Sequence, residues 1–97
     1  MKKIILLLLI VIIALPSLAA EKIRGYIVDE RNEPIIGANI YWEKSKKGVT
    51  SDVNGYFEID AATHHEHLII AYTGYITQSL HIDDQNGELK VILIEDT

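Results

Sequence analysis

The chain opens with a hydrophobic block and then changes to short alternating segments. Residues 4–15 form an unbroken apolar run that follows the basic pair Lys2 and Lys3. From Ile23 onward, short runs alternate between apolar and polar side chains, and polar clusters with Gly, Asn or Pro separate them. Alternation with a period of two is typical of half-buried β-strands. The pattern therefore predicts an all-β domain preceded by a separate N-terminal segment.

Seven strands are expected in the alternating part of the chain. Their predicted positions are residues 23–28, 38–43, 49–51, 56–59, 68–72, 75–82 and 89–94. Between them, no stretch keeps a helical period for long enough to compete with the strand pattern. Several short strands at this spacing predict a small seven-stranded β-sandwich with Greek-key connections.

Side-chain parity within two of these strands predicts part of the core. Ala38, Ile40 and Trp42 share one face of the second strand, because successive side chains of a strand point to opposite sides. Phe57 and Ile59 share one face of the fourth strand in the same way. We predict that these five side chains point inward.

Two Asn-Gly pairs predict turns between strands. Residues 52–55 read Asp-Val-Asn-Gly, and residues 83–87 contain a second Asn-Gly pair. Asn-Gly favours the positive-φ positions of a hairpin turn, so we predict a hairpin over residues 52–55. We also expect the Asp52 carboxylate to accept hydrogen bonds from the backbone of the turn that it starts.

The N-terminal block has the layout of a secretory signal peptide. A basic start, an apolar run, Pro16 and small residues follow one another in that order. The apolar run is only twelve residues long, whereas a helix that crosses a bilayer needs about 20. Cleavage after Ala19 would place the small residues Ser17 and Ala19 at the −3 and −1 positions. We predict a signal-peptide helix over residues 1–19 and a mature domain over residues 20–97, with an uncleaved N-terminal anchor as the alternative.

Composition narrows the functional classes. The chain has no cysteine, which excludes disulfides, cysteine nucleophiles and lipid attachment at a cysteine, so the domain must be stabilised by core packing. Removing residues 1–19, which include Lys2 and Lys3, leaves 78 of the 97 residues, with seven Lys or Arg against fourteen Asp or Glu and a net charge of about −7. Such a charge repels phosphate backbones and argues against nucleic-acid binding. The mature chain also has no predicted transmembrane span.

A histidine-rich stretch is the most conspicuous candidate for chemistry. His64, His65, Glu66 and His67 are consecutive, and both of these side-chain types bind zinc. A structural zinc site needs four ligands, usually from two separated pairs, and His81 is expected on a different strand. Neighbours in an extended strand also point to opposite sides. We predict a solvated turn over residues 61–67, with a metal site as the alternative and adventitious nickel or zinc binding as an expected property.

Other acidic side chains and the common catalytic motifs give no candidate site. Asp52 and Asn54 lie beside a glycine, but the later ligands of a calcium loop are missing. Asp83 and Asp84 lie in a predicted polar turn, where solvated carboxylates are expected. The sequence contains no Gly-x-Ser-x-Gly, no His-Glu-x-x-His and no phosphate-binding glycine loop. From the sequence we assign no catalytic, cofactor-binding or metal residue and no cofactor, and we predict that the protein is not an enzyme.

Three segments, in order, resemble the carboxypeptidase regulatory-like domain family. The first segment is IRGYIVDERNEPIIGANI. It resembles the family's first signature, in which a glycine-containing first strand is followed by an Asp, a polar turn, a Pro and a Gly-Ala pair. GVTSDVNGYFEI resembles the second signature, and LIIAYTGYITQSLHI resembles the third, which is a strand ending in Tyr followed by a Gly-Tyr turn. The pattern is similar to the branch at the N-terminus of SusC-like TonB-dependent outer-membrane receptors. The resemblance implies a transthyretin-like (prealbumin-like) β-sandwich without catalytic residues.

The resemblance also implies a location and a type of function. In such receptors the domain leads into a plug and a barrel, which the sequence after residue 94 does not contain, so we expect a stand-alone exported module or a fragment of an interrupted receptor gene. We predict an interaction or accessory module in the periplasm or at the outer membrane, bound to an unidentified protein partner or envelope component. The alternative is a carbohydrate-binding module in which outward-facing Tyr26, Tyr41 and Tyr56 stack on sugar rings.

Overall fold

The computed structural model describes residues 21–62, 66–82 and 88–97. The predicted signal peptide over residues 1–19, His64, His65 and the second Asn-Gly turn lie outside the described residues. The described residues form seven strands and contain no helix, and hence no helix long and apolar enough to cross a bilayer. The strands are β1 (Lys22–Val28), β2 (Asn39–Trp42), β3 (Gly48–Thr50), β4 (Tyr56–Asp60), β5 (His67–Ala71), β6 (Gln78–His81) and β7 (Glu88–Ile92).

The strands form two sheets. One sheet has three strands in the order β4-β1-β7, and the other has four strands in the order β3-β2-β5-β6. β1 pairs antiparallel with β4 and parallel with β7, whereas every pair in the four-stranded sheet is antiparallel. Because strands that neighbour each other in sequence repeatedly lie in different sheets, the connections are of the Greek-key type. The predicted seven-stranded β-sandwich is confirmed.

The inner faces of the two sheets form one core. The five side chains predicted to point inward are all buried there, including Trp42 and Phe57, the largest of them. The core consists of the following residues: Ile23, Ile27, Ile35, Ala38, Ile40, Trp42, Phe57, Ile59, Leu68, Ile70, Val91 and Leu93. Strand parity was therefore sufficient to predict these inward positions.

Two contacts explain how the largest core side chains fit between the sheets. The Trp42 indole Nε1–H, on β2, donates a hydrogen bond of 2.8 Å to the carbonyl oxygen of Asp60, on β4, and so connects the two sheets. Gly25 lies under the Phe57 ring on the neighbouring strand. A Cβ at Gly25 would come within 2.8 Å of that ring and 2.6 Å of the Leu89 carbonyl oxygen. The glycine of the first strand is therefore required by close packing.

The predicted hairpin over residues 52–55 is wrong, because β3 and β4 belong to different sheets. The segment is a corner between the sheets. The Ile27 amide donates a hydrogen bond of 2.7 Å to the Gly55 carbonyl oxygen, which draws the end of the turn to β1. As expected, the Asp52 carboxylate accepts hydrogen bonds from the turn, at 2.9 Å from both the Asn54 and the Tyr56 amide nitrogen. Gly55 takes a positive φ of 76°, a conformation that glycine adopts at little cost.

The segment after β7 joins the two sheets at their other side. The Ile76 amide donates to the Ile94 carbonyl oxygen at 2.8 Å, and the Asp96 amide donates to the Gly74 carbonyl oxygen at 3.0 Å. These bonds flank an antiparallel bridge between Tyr75 and Glu95. The predicted last strand thus ends early, at Ile92, because its continuation pairs with the segment that leads into β6.

Candidate interaction surface

One end of the outer face of the three-stranded sheet carries charged side chains that form ion pairs with one another. Lys22 lies opposite Asp60, with 2.9 Å between Nζ and Oδ1, and Arg24 lies opposite Glu58, with 3.2 Å between Nε and Oε2. The hydrogen bond from the Lys22 ammonium, together with its charge, lowers the pKa of the Asp60 carboxyl. Exposed ion pairs of this kind contribute little to stability. This end of the face is solvated and has its charges balanced.

The middle of the same face carries a pair of tyrosines. Tyr26 and Tyr56 lie opposite each other on β1 and β4, with ring centroids 5.2 Å apart and ring planes tilted by 58°. The Tyr56 hydroxyl donates a hydrogen bond of 3.2 Å to the Glu58 carboxylate. Partial burial raises the pKa of the Tyr56 hydroxyl, and the hydrogen bond to Glu58 raises it further. The two rings are therefore already engaged with each other.

The other end of this face is apolar. Val28 on β1 lies opposite Ile92 on β7, and Val28 is buried although it does not belong to the core. Beyond it, buried Val91 and Leu93 alternate with Ile92 and Ile94, whose exposed fractions are 48% and 47%. The alternation places Ile92 and Ile94 together on the outer side.

A third isoleucine extends this apolar end. Because Tyr75 and Glu95 form the bridge, Ile76 lies directly opposite Ile94. Side chains directly opposite each other in an antiparallel pair share a face, with Cβ atoms about 4.5–5.5 Å apart. Ile76 is 49% exposed. We call Ile76, Ile92 and Ile94 the isoleucine patch, and contiguous exposed apolar groups of this kind typically mark interaction sites.

The isoleucine patch was not predicted from the sequence, although the sequence contains a signal for it. Residues 89–94 are apolar at both parities apart from Lys90. Leu89, Val91 and Leu93 are enough to supply the inward face of the strand. Isoleucine at the outward positions is therefore a surplus of apolar side chains, which indicates a second apolar contact on the outer side.

The third predicted tyrosine lies on the other sheet. Tyr41 is on the outer face of β2, opposite Gly48, whereas Tyr26 and Tyr56 are on the three-stranded sheet. The three tyrosines therefore do not form one row. A shallow depression surrounds Tyr41 and is lined by Asn39, Ile40, Tyr41, Lys46, Gly48, Val49 and Thr50. The Lys46 Nζ atom lies 6.0 Å from the centroid of the Tyr41 ring.

The prediction of a solvated turn at the histidine stretch is wrong for Glu66. Its side chain is buried, with an exposed fraction of 8%. Glu66 Oε1 accepts hydrogen bonds from the backbone amides of Lys44 and Ser45, at 2.6 and 3.0 Å. A buried carboxylate is tolerated when hydrogen bonds replace its hydration. Glu66 therefore holds the turn between β2 and β3 in place.

His67 and His81 are brought together by the sheet. His67 begins β5 and lies opposite His81 on β6, with ring centroids 5.4 Å apart. The Glu43 carboxylate oxygen lies 3.6 Å from His67 Nδ1. Within residues 21–62, 66–82 and 88–97, no three His, Cys, Asp or Glu side chains are grouped so as to hold a metal ion. Asp52, which the sequence did not favour as a calcium ligand, has its carboxylate hydrogen-bonded within its own turn.

Comparison with known sequences identifies one domain family and one receptor. A sequence profile of the CarboxypepD_reg-like domain matches residues 23–97. Over 75 residues the chain is 31% identical to the TonB-dependent receptor SusC of Bacteroides thetaiotaomicron. That match covers 77% of this chain but only 7% of the length of the receptor.

Solved structures with a similar fold come from proteins of different kinds. A chain in a type II cohesin–X-dockerin complex from Acetivibrio cellulolyticus superposes with a TM-score of 0.63 at 20% identity, covering 76% of this chain and 57% of that one. The 3-chlorocatechol 1,2-dioxygenase of Rhodococcus opacus 1CP gives a TM-score of 0.51 at 14% identity, covering 80% and 61%. At these identities the similarity concerns the fold alone.

Proposed function

The chain belongs to the CarboxypepD_reg-like domain family, and from this membership we propose that it is a non-enzymatic interaction module of the cell envelope. The observation that carries the proposal is the isoleucine patch, which leaves three aliphatic side chains half exposed on one face of a small domain. The relationship to SusC, an outer-membrane receptor, supports a location at the envelope. Because the match spans a small part of that receptor, its transport activity is not part of the proposal.

The overall charge of the domain and the apolar character of the isoleucine patch indicate the kind of partner. The proposed occupant is a protein that presents an apolar surface with a basic rim, because the mature domain is acidic, with a net charge of about −7 from seven basic and fourteen acidic residues. Interfaces of this kind depend on a few buried apolar anchors surrounded by polar contacts. A chain with the same fold takes part in a cohesin–X-dockerin complex, which is consistent with a binding role.

Acidic side chains that could serve in catalysis are used by the fold. Asp29 Oδ1 accepts hydrogen bonds from the amides of Arg31 and Glu33 at 2.8 and 2.9 Å, and Asp52 does the same in its own turn. Glu66 is engaged with the turn between β2 and β3. These three carboxylates therefore have structural roles in the turns that they hold.

Substitution of the isoleucine patch tests the interaction. We expect Ile76→Lys combined with Ile94→Lys to reduce partner capture from cross-linked cell envelopes by more than about tenfold, since each 1.4 kcal/mol lost at an interface is a factor of ten. The matched control places the same charges on the opposite sheet, as Asn39→Lys with Thr50→Lys. Equal capture by both variants, with both folded by circular dichroism, would remove the patch as the binding surface.

Export through the general secretory route is the second part of the proposal. The basic start, the apolar run and the small residues before Ala20 support a cleaved signal peptide. We expect N-terminal sequencing of the protein from the periplasm or outer membrane to begin at Ala20. An intact Met1 in the envelope fraction would contradict cleavage and favour the uncleaved anchor.

A carbohydrate-binding role at Tyr41 is the second candidate. The depression around Tyr41 combines an aromatic ring with the Asn39 amide and the Thr50 hydroxyl, and Gly48 adds no side chain to it. If saccharides bind there, Tyr41→Ala should abolish binding in calorimetry, whereas Tyr41→Phe should retain it. Tyr26→Ala is the matched control, because that ring already packs on Tyr56. A glycan array with no ligand for the parent protein would discard this candidate.

A further inference from the structure

The outer face of the four-stranded sheet carries a pair of histidines on neighbouring strands. We propose that His67 and His81 bind one divalent transition-metal ion between their imidazoles, and that Glu43 is the positioning residue for His67. On sequence alone His81 was expected on a different strand from the histidine stretch. The register places that strand beside β5 and His81 directly opposite His67.

Both imidazoles are held by strands and not by loops. His67 is the first residue of β5 and His81 is the last residue of β6, so each backbone is fixed by the ladder between the two strands. On the other side of β5, the Glu43 amide donates a hydrogen bond of 3.0 Å to the His67 carbonyl oxygen. Sites built on strands hold their ligands more accurately than sites built on loops.

The separation of the two rings fits a shared ion. Imidazole nitrogens bind zinc at about 2.0–2.1 Å, so two imidazoles on one tetrahedral ion have ring centroids about 5 Å apart. The His67 and His81 centroids are 5.4 Å apart. The spacing of the two rings is therefore compatible with one ion bound by a nitrogen of each ring.

The Glu43 carboxylate lies beside one of the two ring nitrogens of His67. Its Oε2 atom lies 3.6 Å from His67 Nδ1. Histidines that bind metals commonly donate the hydrogen of the other ring nitrogen to a carboxylate, which fixes the tautomer and orients the ring. With Nδ1 directed at Glu43, Nε2 of His67 is the nitrogen that binds the ion.

The ligand set selects the class of ion. Two neutral imidazoles suit Cu²⁺, Ni²⁺ and Zn²⁺, and Cu²⁺ is expected to bind most tightly. Among the described residues no third His, Cys, Asp or Glu side chain joins the two histidines, so the proposal assigns two protein ligands to the ion. The histidine pair lies on the outer face of the four-stranded sheet, whereas Ile92 of the isoleucine patch belongs to the three-stranded sheet. The metal site is therefore separate from the proposed partner surface.

Titration with Cu²⁺ and Zn²⁺, on exported protein without a histidine tag, tests the site. We expect one ion per chain by calorimetry and, for Cu²⁺, a spectrum of electron paramagnetic resonance with two imidazole nitrogens. His67→Ala and His81→Ala should each abolish this signal. Glu43→Gln should weaken binding by about 10–100-fold while both nitrogens remain coordinated.

A matched double variant separates this site from adventitious binding. His64→Ala with His65→Ala removes two histidines that are close in sequence and should leave affinity and spectrum unchanged. If that variant abolishes binding while His81→Ala leaves it intact, the ion binds the histidine stretch and the inference is wrong. Absence of binding by the folded parent protein would overturn it as well.

Discussion

The variant Phe57→Ala is expected to leave a large part of the population unfolded at room temperature. The ring is 2% exposed and lies against Gly25 between the two sheets. Truncating a buried Phe or Trp typically costs about 3–5 kcal/mol. A domain of this size without disulfides has a total stability on the order of 5 kcal/mol. Trp42→Ala should have a similar effect, because it also truncates a buried aromatic side chain and removes the hydrogen bond to β4 as well.

Urea denaturation followed by circular dichroism measures this effect. Phe57→Leu is the conservative control, for which we expect a loss of about 1 kcal/mol because most of the volume is kept. Tyr26→Ala is the control for an exposed aromatic residue and should shift the midpoint little. An unchanged midpoint for Phe57→Ala would mean that the core is not arranged as described.

The second large effect is expected for Glu66→Ala. This change leaves the amides of Lys44 and Ser45 without their acceptor at a partly buried turn. Hydrogen bonds to charged groups contribute about 1.5–3 kcal/mol each, and some access of water to the freed amides offsets part of the loss, so we expect a destabilisation of about 2–4 kcal/mol. Denaturation midpoints of the purified variants measure it.

Two control variants are measured together with Glu66→Ala. Glu66→Gln keeps an oxygen acceptor in place and should lose less than Glu66→Ala. The combined change of His64, His65 and His67 to Ala should alter stability little in the absence of metal, since His67 is exposed and we still expect His64 and His65 to be solvated. If the histidine variant is destabilised more than Glu66→Ala, the assignment of the structural role to Glu66 fails.

The fold followed from the sequence because its determinants are local. Alternation, one mostly apolar run at residues 68–72 and the turn signals between them identified all seven strands. Parity placed Ile40, Trp42 and Phe57 inward, since only one face of each of their strands could be buried. The hydrogen bonds of the Asp52 carboxylate and the positive φ of Gly55 likewise depend only on the turn itself. These features require no knowledge of which strands are neighbours.

The features that sequence reasoning missed depend on contacts between distant segments. The corner at residues 52–55 arises from a hydrogen bond to Ile27, and the burial of Glu66 arises from the turn at residues 43–47. His67 and His81 meet only through the register of β5 and β6. The neighbours of each strand and their register depend on the packing of the whole sandwich, so the side-chain pattern within one segment does not predict them.

Site-specific photo-crosslinking in intact cells tests the proposed interaction module most directly. A photoreactive amino acid is placed at Ile76 in the isoleucine patch and, as the matched control, at Thr50 on the opposite sheet. We predict a single discrete adduct with an envelope protein from position 76, lost when Ile94→Lys is added, and no such adduct from position 50. Absence of an adduct at position 76, or the same adduct from both positions, would contradict an interaction module that binds through the isoleucine patch.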